Sequence, residues 1–325
     1  MRTNALRDRK EPSMRILVVG AGAIGGYFGG RLHEAGRDIS FLVRPQRAKE
    51  LAQSGLVIVS PAGNATLRDV KTVLAENIGQ PFDLVLVSCK AYDLASAMLS
   101  FAPAVGPSTA ILPLLNGMRH LDELDRKFGK SRVLGGQCVI AATLNKERAI
   151  VHLKDMHALT FGERDGGMSE RIRAISAAMQ GAKFDVNASE KIVQDMWDKW
   201  VFLATLAGAT CLFRGSVSDI LAAPQGAERM LDLLEECRAV ANANGYAPRA
   251  DVSERMRKTL TTASSFTASM LRDIESNARI EADHIIGDLI DRARVQGKAP
   301  IDVRMLRIVY THLKAYEARR ERELQ

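Results

Sequence analysis

Past a polar leader the chain begins with short apolar runs, several of them followed by helical periodicity. Arg15-Ile-Leu-Val-Val19 is uninterrupted, as expected of a parallel strand buried on both faces. Glycines follow at once, and a helical stretch then runs through Ala35 to a stop at Gly36. Ile39-Ser-Phe-Leu-Val43 predicts a second strand, and Leu56–Ser60, Leu84–Ser88 and Ala110–Leu115 predict others, with helical patterns between several of them. This alternation predicts a doubly wound, Rossmann-type α/β sheet. From Val133 to Phe161 strand patterns follow one another without helices (Leu134–Leu144, Ala149–Leu153, Ala158–Phe161), which predicts antiparallel strands added at the edge. After Phe184 the pattern becomes helical. Helices are expected at Val193–Leu212, Gln225–Asn244, Asp251–Asp273, Ile280–Gln296 and Val303–Arg322, with Gly245 and Pro248, then Gly297 and Pro300, as stops. The expected division is a nucleotide-binding domain at 14–188 and an all-helical domain at 189–325.

Size and composition fit that division. A chain of 325 residues is long enough for two cores, and 46% hydrophobic with 26% charged residues is ordinary for a globular protein. No apolar stretch is long enough for a membrane span. Residues 1–13 are polar and basic, without the apolar centre of a secretory signal; they read as a polar extension, or as residues upstream of a start at Met14. The net charge of +7 would attract anionic cofactors and substrates. Much of it lies in this leader and in Lys314–Arg322, where Arg319, Arg320 and Arg322 alternate with Glu317, Glu321 and Glu323. That alternation reads as a solvated helix end, not as a nucleic-acid surface. Cys89, Cys138, Cys211 and Cys237 are far apart and have no metal-ligand spacing, and the six histidines form no HExxH-like set. Neither a metal site nor a disulfide is expected, and a reducing cytoplasm is the simplest location.

Candidate chemistry begins at Gly20-Ala-Gly22-Ala23-Ile24-Gly25. A strand precedes this GxGxxG run, a helix follows, and a second strand starts about twenty residues on, the context of a dinucleotide-binding turn. The helix N-terminus then offers free amides to phosphates. A glycine-rich strand-to-helix turn without a ligand is the alternative. The second strand ends in Arg44, with no acid nearby, where an NAD site would carry Asp or Glu for the ribose 2′-hydroxyl. A guanidinium there pairs with a 2′-phosphate, so the expected cofactor is NADPH; a mere surface charge is the alternative. Lys90 and Asn116 follow two further strand ends, where ligands of open α/β sheets bind. Their plain alternatives are a solvated lysine and an Asn-Gly turn.

In combination, these residues resemble the ketopantoate reductases, which reduce ketopantoate (2-dehydropantoate) with NADPH in pantothenate synthesis. The resemblance covers nearly the whole chain from Met14 and rests on the glycine turn, Arg44, Ser-Cys-Lys90-Ala, Leu-Asn116-Gly, Trp197-Asp-Lys199-Trp, and Ser269-Met-Leu-Arg-Asp-Ile continuing to Ile280-Glu281-Ala-Asp283. It implies that Lys199 protonates the nascent alkoxide, that Glu281 orders the site and binds the substrate's far hydroxyl, and that Ser269 binds the substrate carboxylate. Lys90 and Asn116, with Glu281, are implied around the nicotinamide ribose and substrate. It also implies a helical second domain and a homodimer formed through it, acting on a small keto acid.

Ser269 and Glu281 are twelve residues apart, about 18 Å along a straight helix. A small keto acid cannot span that distance, so a break is expected at Ser276-Asn277-Ala278, where Asn tolerates the left-handed cap. The sequence departs from the family where asparagines usually stand four and eight residues after the lysine: here Leu203 and Ala207 make that helix face apolar. Ile280 replaces a common threonine. A paralogous reductase of a less polar carbonyl compound is therefore the second reading. A non-catalytic NADPH-binding sensor is the third, and the retention of both Lys199 and Glu281 argues against it.

Overall fold

The alternation of strand and helix begins with β1 (Arg15–Val19), buried from Ile16 onward, which leads into α1 (Ala23–Glu34) and β2 (Asp38–Leu42). The computed structural model describes residues 14–297 and 299–324; the polar extension 1–13 lies outside them. There follow α2 (Pro45–Ser54), β3 (Leu56–Val59), β4 (Ala65–Leu67), β5 (Lys71–Val73), β6 (Leu84–Val87), α3 (Leu94–Phe101) and β7 (Ala110–Pro113). After α4 (Arg119–Phe128) come β8 (Gly135–Leu144), β9 (Ile150–Gly162), α5 (Glu170–Met179) and β10 (Asp185–Ala188). The first sheet has the order β5-β2-β1-β6-β7, and all its pairings are parallel. That bears out the Rossmann-type expectation, and the uninterrupted apolar runs at β1, β6 and β7 fit it, because these central strands are covered on both faces.

The strands after Val133 do not extend this sheet. With β3 and β4 they build a second five-stranded sheet, ordered β10-β9-β3-β4, with β8 antiparallel to β9, so the run at Leu56–Ser60, expected in the first sheet, belongs to the second. Within it β9 runs parallel to both β3 and β10. The two patterns at Ala149–Leu153 and Ala158–Phe161 are one strand with a bulge: Ile140 faces His157, but Ala142 faces His152. Helix α1 packs against strands of both sheets. A side chain at Gly26 would collide with Ile150, and one at Gly30 with Ile58 and Leu56, so these glycines let the second sheet approach.

A buried polar cluster ties α1 to that sheet. Tyr27 Oη lies 2.6 Å from His157 Nδ1 and 3.3 Å from His152 Nδ1, and Ser60 Oγ lies 2.9 Å from the same His152 atom. His152 Nε2 is 3.2 Å from Met156 O and so closes the bulge.

By contacts, a second unit comprises Lys90–Leu94, Leu115–Glu123 and Lys191–Gln325. Its central α6 (Ile192–Phe213) is followed by α7 (Val217–Ala222), α8 (Gly226–Ala243), α9 (Ala250–Thr261) and α10 (Ser269–Glu275). A π-helical turn at Asp283–Gly287 runs into α11 (Asp288–Asp291), and α12 (Arg304–Glu323) follows. The single helix expected at Asp251–Asp273 is thus two. Thr261 and Thr262 turn their hydroxyls onto carbonyls of the last turn, and beyond them the chain leaves the helix until Ser269. There the carbonyls of Ser264 and Phe266 accept the amides of Ser218 and Val217 at the start of α7. Among the described residues, no helix is long and apolar enough to cross a membrane.

Burial, reinforced by the charges of His152 and Arg31, holds the His157 imidazole below its ordinary 6.5. The unfolded chain therefore takes up this proton first, and the stability His157 contributes at neutral pH is lost as the pH falls below 6.5. Thermal unfolding followed from about pH 7 to about pH 5, above the carboxylate range, should show a falling midpoint, and His157→Gln should flatten that fall.

Candidate active site

Gly20 follows β1 with φ +93°, and its amide donates to Leu42 O at 2.9 Å, which turns the chain tightly between β1 and β2. Gly22 caps α1, and a side chain there would meet nothing within 4 Å. A Cβ at Gly25 would stand 2.4 Å from Gly20 O and 2.1 Å from Ser88 Oγ, so only glycine permits this approach of helix to turn. Ala23 and Ile24 are partly exposed in the first helical turn, whose amides have no partner within the helix. The geometry suits a phosphate: open above Gly22, closed beneath Gly25. Arg44 is exposed at the start of α2, and among the described residues no hydrogen bond or ion pair engages its guanidinium. Arg47 is committed instead to Glu50 at 3.0 Å.

The other predicted residues lie in the helical unit, in two groups. Lys199 Nζ, half-buried on α6, donates to Asn116 Oδ1 at 3.1 Å. Asn116 is placed by Gly117, whose φ is +76° and whose added Cβ would stand 2.3 Å from His284 O. Trp200 Nε1, next to Lys199, donates to Ile285 O at 2.9 Å. The π-helical turn thus receives both the Asn116 loop and the lysine's own helix.

In the second group Lys90 Nζ lies 2.9 Å from Asp273 Oδ2 and 3.5 Å from Glu281 Oε2. The other Glu281 oxygen accepts the Ala91 amide at 2.9 Å, so this carboxylate, only 7% exposed, is held at both ends. Burial works to lower the Lys90 pKa, but Glu281 and Asp273 outweigh it and hold it above the ordinary value. Asp273 was not expected here. Its motif position four residues after Ser269 was visible, but nothing in a helical aspartate marks a partner 183 residues away. Ser269 is partly buried at the start of α10, next to Ala268, whose amide lies 3.4 Å from Thr210 Oγ1.

The predicted break is present. Asn277 has φ +53°, its amide donates to Ile274 O, and the Ala278 amide donates to Asp273 O, the paired bonds of a Schellman cap. Leu203 is half-buried, whereas Ala207 has no exposed surface and so cannot contribute wall to a pocket. Ile280 is buried at 4% and packs instead of capping. Among the described residues, no group of three or more His, Cys, Asp or Glu stands together to hold a metal.

Two family descriptions match the sequence: Ketopantoate reductase PanE/ApbA over residues 16–166 and Ketopantoate reductase PanE/ApbA C terminal over residues 191–317. The chain belongs to the ketopantoate reductase family. It is therefore an oxidoreductase of a family that binds a nicotinamide cofactor. It is 40% identical over 307 residues to the uncharacterized oxidoreductase YkpB of Bacillus subtilis, covering 94% of this chain and 99% of that one. A 2-dehydropantoate 2-reductase of Nostoc is 24% identical over 311 residues, covering 94% and 96% of the two chains. The crystal structure of 2-dehydropantoate 2-reductase from Geobacter metallireducens superposes with a TM-score of 0.84 at 27% identity, covering 93% and 99%. The Rossmann sheet with a helical C-terminal part is the architecture of this family.

Removing one carboxylate beside Lys90 should return its pKa toward the ordinary value. In Asp273→Asn, the pH profile of Lys90 amine labelling, read by mass spectrometry, should move to lower pH than in the wild type. An unmoved profile would show that the pair does not hold in solution.

Proposed function

We propose that the protein reduces a 2-keto acid with NADPH, ketopantoate foremost, with Lys199 as the proton donor. The observation that carries this reading is the half-buried Lys199 ammonium, oriented by Asn116 Oδ1 and held on the long central helix. When bound, the cofactor supplies a hydride from nicotinamide C4 to the carbonyl carbon. The chain does the rest. An ammonium aimed at the carbonyl oxygen stabilises the developing negative charge and then gives that oxygen its Nζ proton. Glu281, fixed by the Ala91 amide and Lys90, offers a carboxylate oxygen to a hydroxyl of the substrate. Asn116 and Lys90 are read as contacts of the nicotinamide ribose and substrate, and Ser269 as a donor to the substrate carboxylate. Gly20, Gly22, Ala23, Ile24 and Gly25 cradle the pyrophosphate, and the uncommitted Arg44 takes the 2′-phosphate.

A second reading, reduction of a less polar carbonyl compound, is favoured by Leu203, which replaces an amide donor one turn from Lys199. Loss of such a partner can cost orders of magnitude in discrimination between substrates. Loss of NADPH absorbance with ketopantoate, beside a panel of apolar 2-keto acids, separates the two readings. Turnover of the apolar acids alone would move the substrate to the second. No carbonyl-dependent oxidation with any of them would remove the 2-keto acid reading.

Lys199→Ala should lower kcat by about 10²–10⁴-fold with the KM for NADPH little changed. Arg44→Asp should raise the KM for NADPH by about 10–100-fold, the worth of a charge-assisted contact replaced by a repulsive one, and leave NADH use unchanged or improved. Steady-state kinetics with both cofactors checks each, and an unaltered KM for NADPH in Arg44→Asp would refute the role given to Arg44.

A further inference from the structure

The last helix reaches back to the short stretch of chain that carries Glu281. Arg320 Nε donates to Asn277 O and Tyr316 Oη to Ala278 O, both at 2.8 Å. Past Glu281, Tyr310 Oη donates to Asp283 Oδ1 at 2.7 Å, and Lys314 Nζ reaches both Asp283 oxygens at 3.2 and 3.3 Å. These contacts straddle the glutamate. Asn277 and Ala278 lie beyond the end of α10, so their carbonyls have no donor within that helix. Tyr316 is only 6% exposed, so its hydroxyl needs a protein partner, and the turn supplies one. Lys314–Arg322 is thus more than a solvated helix end.

The geometry matters because Asp273 precedes this turn and Glu281 follows it, yet both meet Lys90. Their convergence depends on the angle held at Asn277. We propose that α12 is a positioning element for the carboxylate pair. Tyr316 and Arg320 fix the Asn277–Ala278 turn, Tyr310 and Lys314 fix Asp283, and Glu281 is thereby held against Lys90 and the Ala91 amide. None of these four side chains touches the reacting atoms. The inference rests on the reading of Glu281 as the group that orders the keto acid.

The test compares Tyr316→Phe/Arg320→Ala, Tyr316→Phe alone, Arg320→Lys and wild type, all as the full chain. In the double variant the KM for the keto acid should rise about tenfold, the scale of a misplaced contact, with the KM for NADPH unchanged. Arg320→Lys, which keeps a cationic donor, should stay near wild type. A second reading needs no turnover. Amine labelling of Lys90, normalised to the exposed Lys71, should rise about threefold or more as Glu281 slackens its hold. A fall in kcat alone, with both KM values and Lys90 labelling at wild-type levels, would mean lost folded enzyme and would overturn the proposal. So would a double variant indistinguishable from wild type. If the wild type reduces no 2-keto acid, the functional reading falls, and labelling alone decides whether α12 positions the pair. Should the double variant fail to accumulate, Tyr316→Phe, which keeps the ring and loses only the hydroxyl, is judged by the same outcomes.

Discussion

The helical half of the site depends on one close approach, that of Gly117 to the carbonyl of His284. No side chain fits between them, and the left-handed conformation at Gly117 excludes most residues in any case. Once that contact is made, the Asn116 side chain, the indole of Trp200 and the π-helical turn fall into place together. Trp200 bonds the next carbonyl along, Ile285 O, and its neighbour Lys199 then reaches Asn116. A lysine on a long helix has four rotatable bonds; what fixes its ammonium is a loop whose own position is set by backbone against backbone.

The unit that carries the parallel sheet solves a different packing problem with the same means. Helix α1 must lie close to its own sheet and to a second one, and a column of glycines along it removes the side chains that would hold the sheets away. The polar cluster of Tyr27, Ser60, His152 and His157 then gives the junction specificity, since every one of those groups needs its partner once buried.

How much of this could be read from the sequence follows from what is local. Parallel strands covered on both faces appear as bare apolar runs, so β1, β2, β6 and β7 were legible, and so was the glycine turn. The break at Asn277 followed from the resemblance and from length together, because the resemblance set Ser269 and Glu281 on one small substrate that cannot bridge twelve helical residues. What failed was non-local. Strand periodicity says that β8 and β9 are strands, not that their neighbour is β3 instead of β7. The short β4 and β5 have little buried surface and left no signal. Asp273 looked like any solvated helical acid until its partner was known. The contacts of Tyr316 and Arg320 are made to carbonyls, which carry no sequence identity at all.

A π-helical turn contains one residue more than the α-helical path it replaces. Here the surplus lies between two anchors. Upstream, Glu281 is pinned by Lys90 and the Ala91 amide. Downstream, Arg292 clasps Asp288 and, at 2.6 Å, Asp122. Shortening the segment by one residue would regularise the helix, but it would turn one anchor about 100° against the other. Over evolutionary time this stretch is therefore freer to change its letters than its count, and an insertion or deletion here should be rarer than substitution.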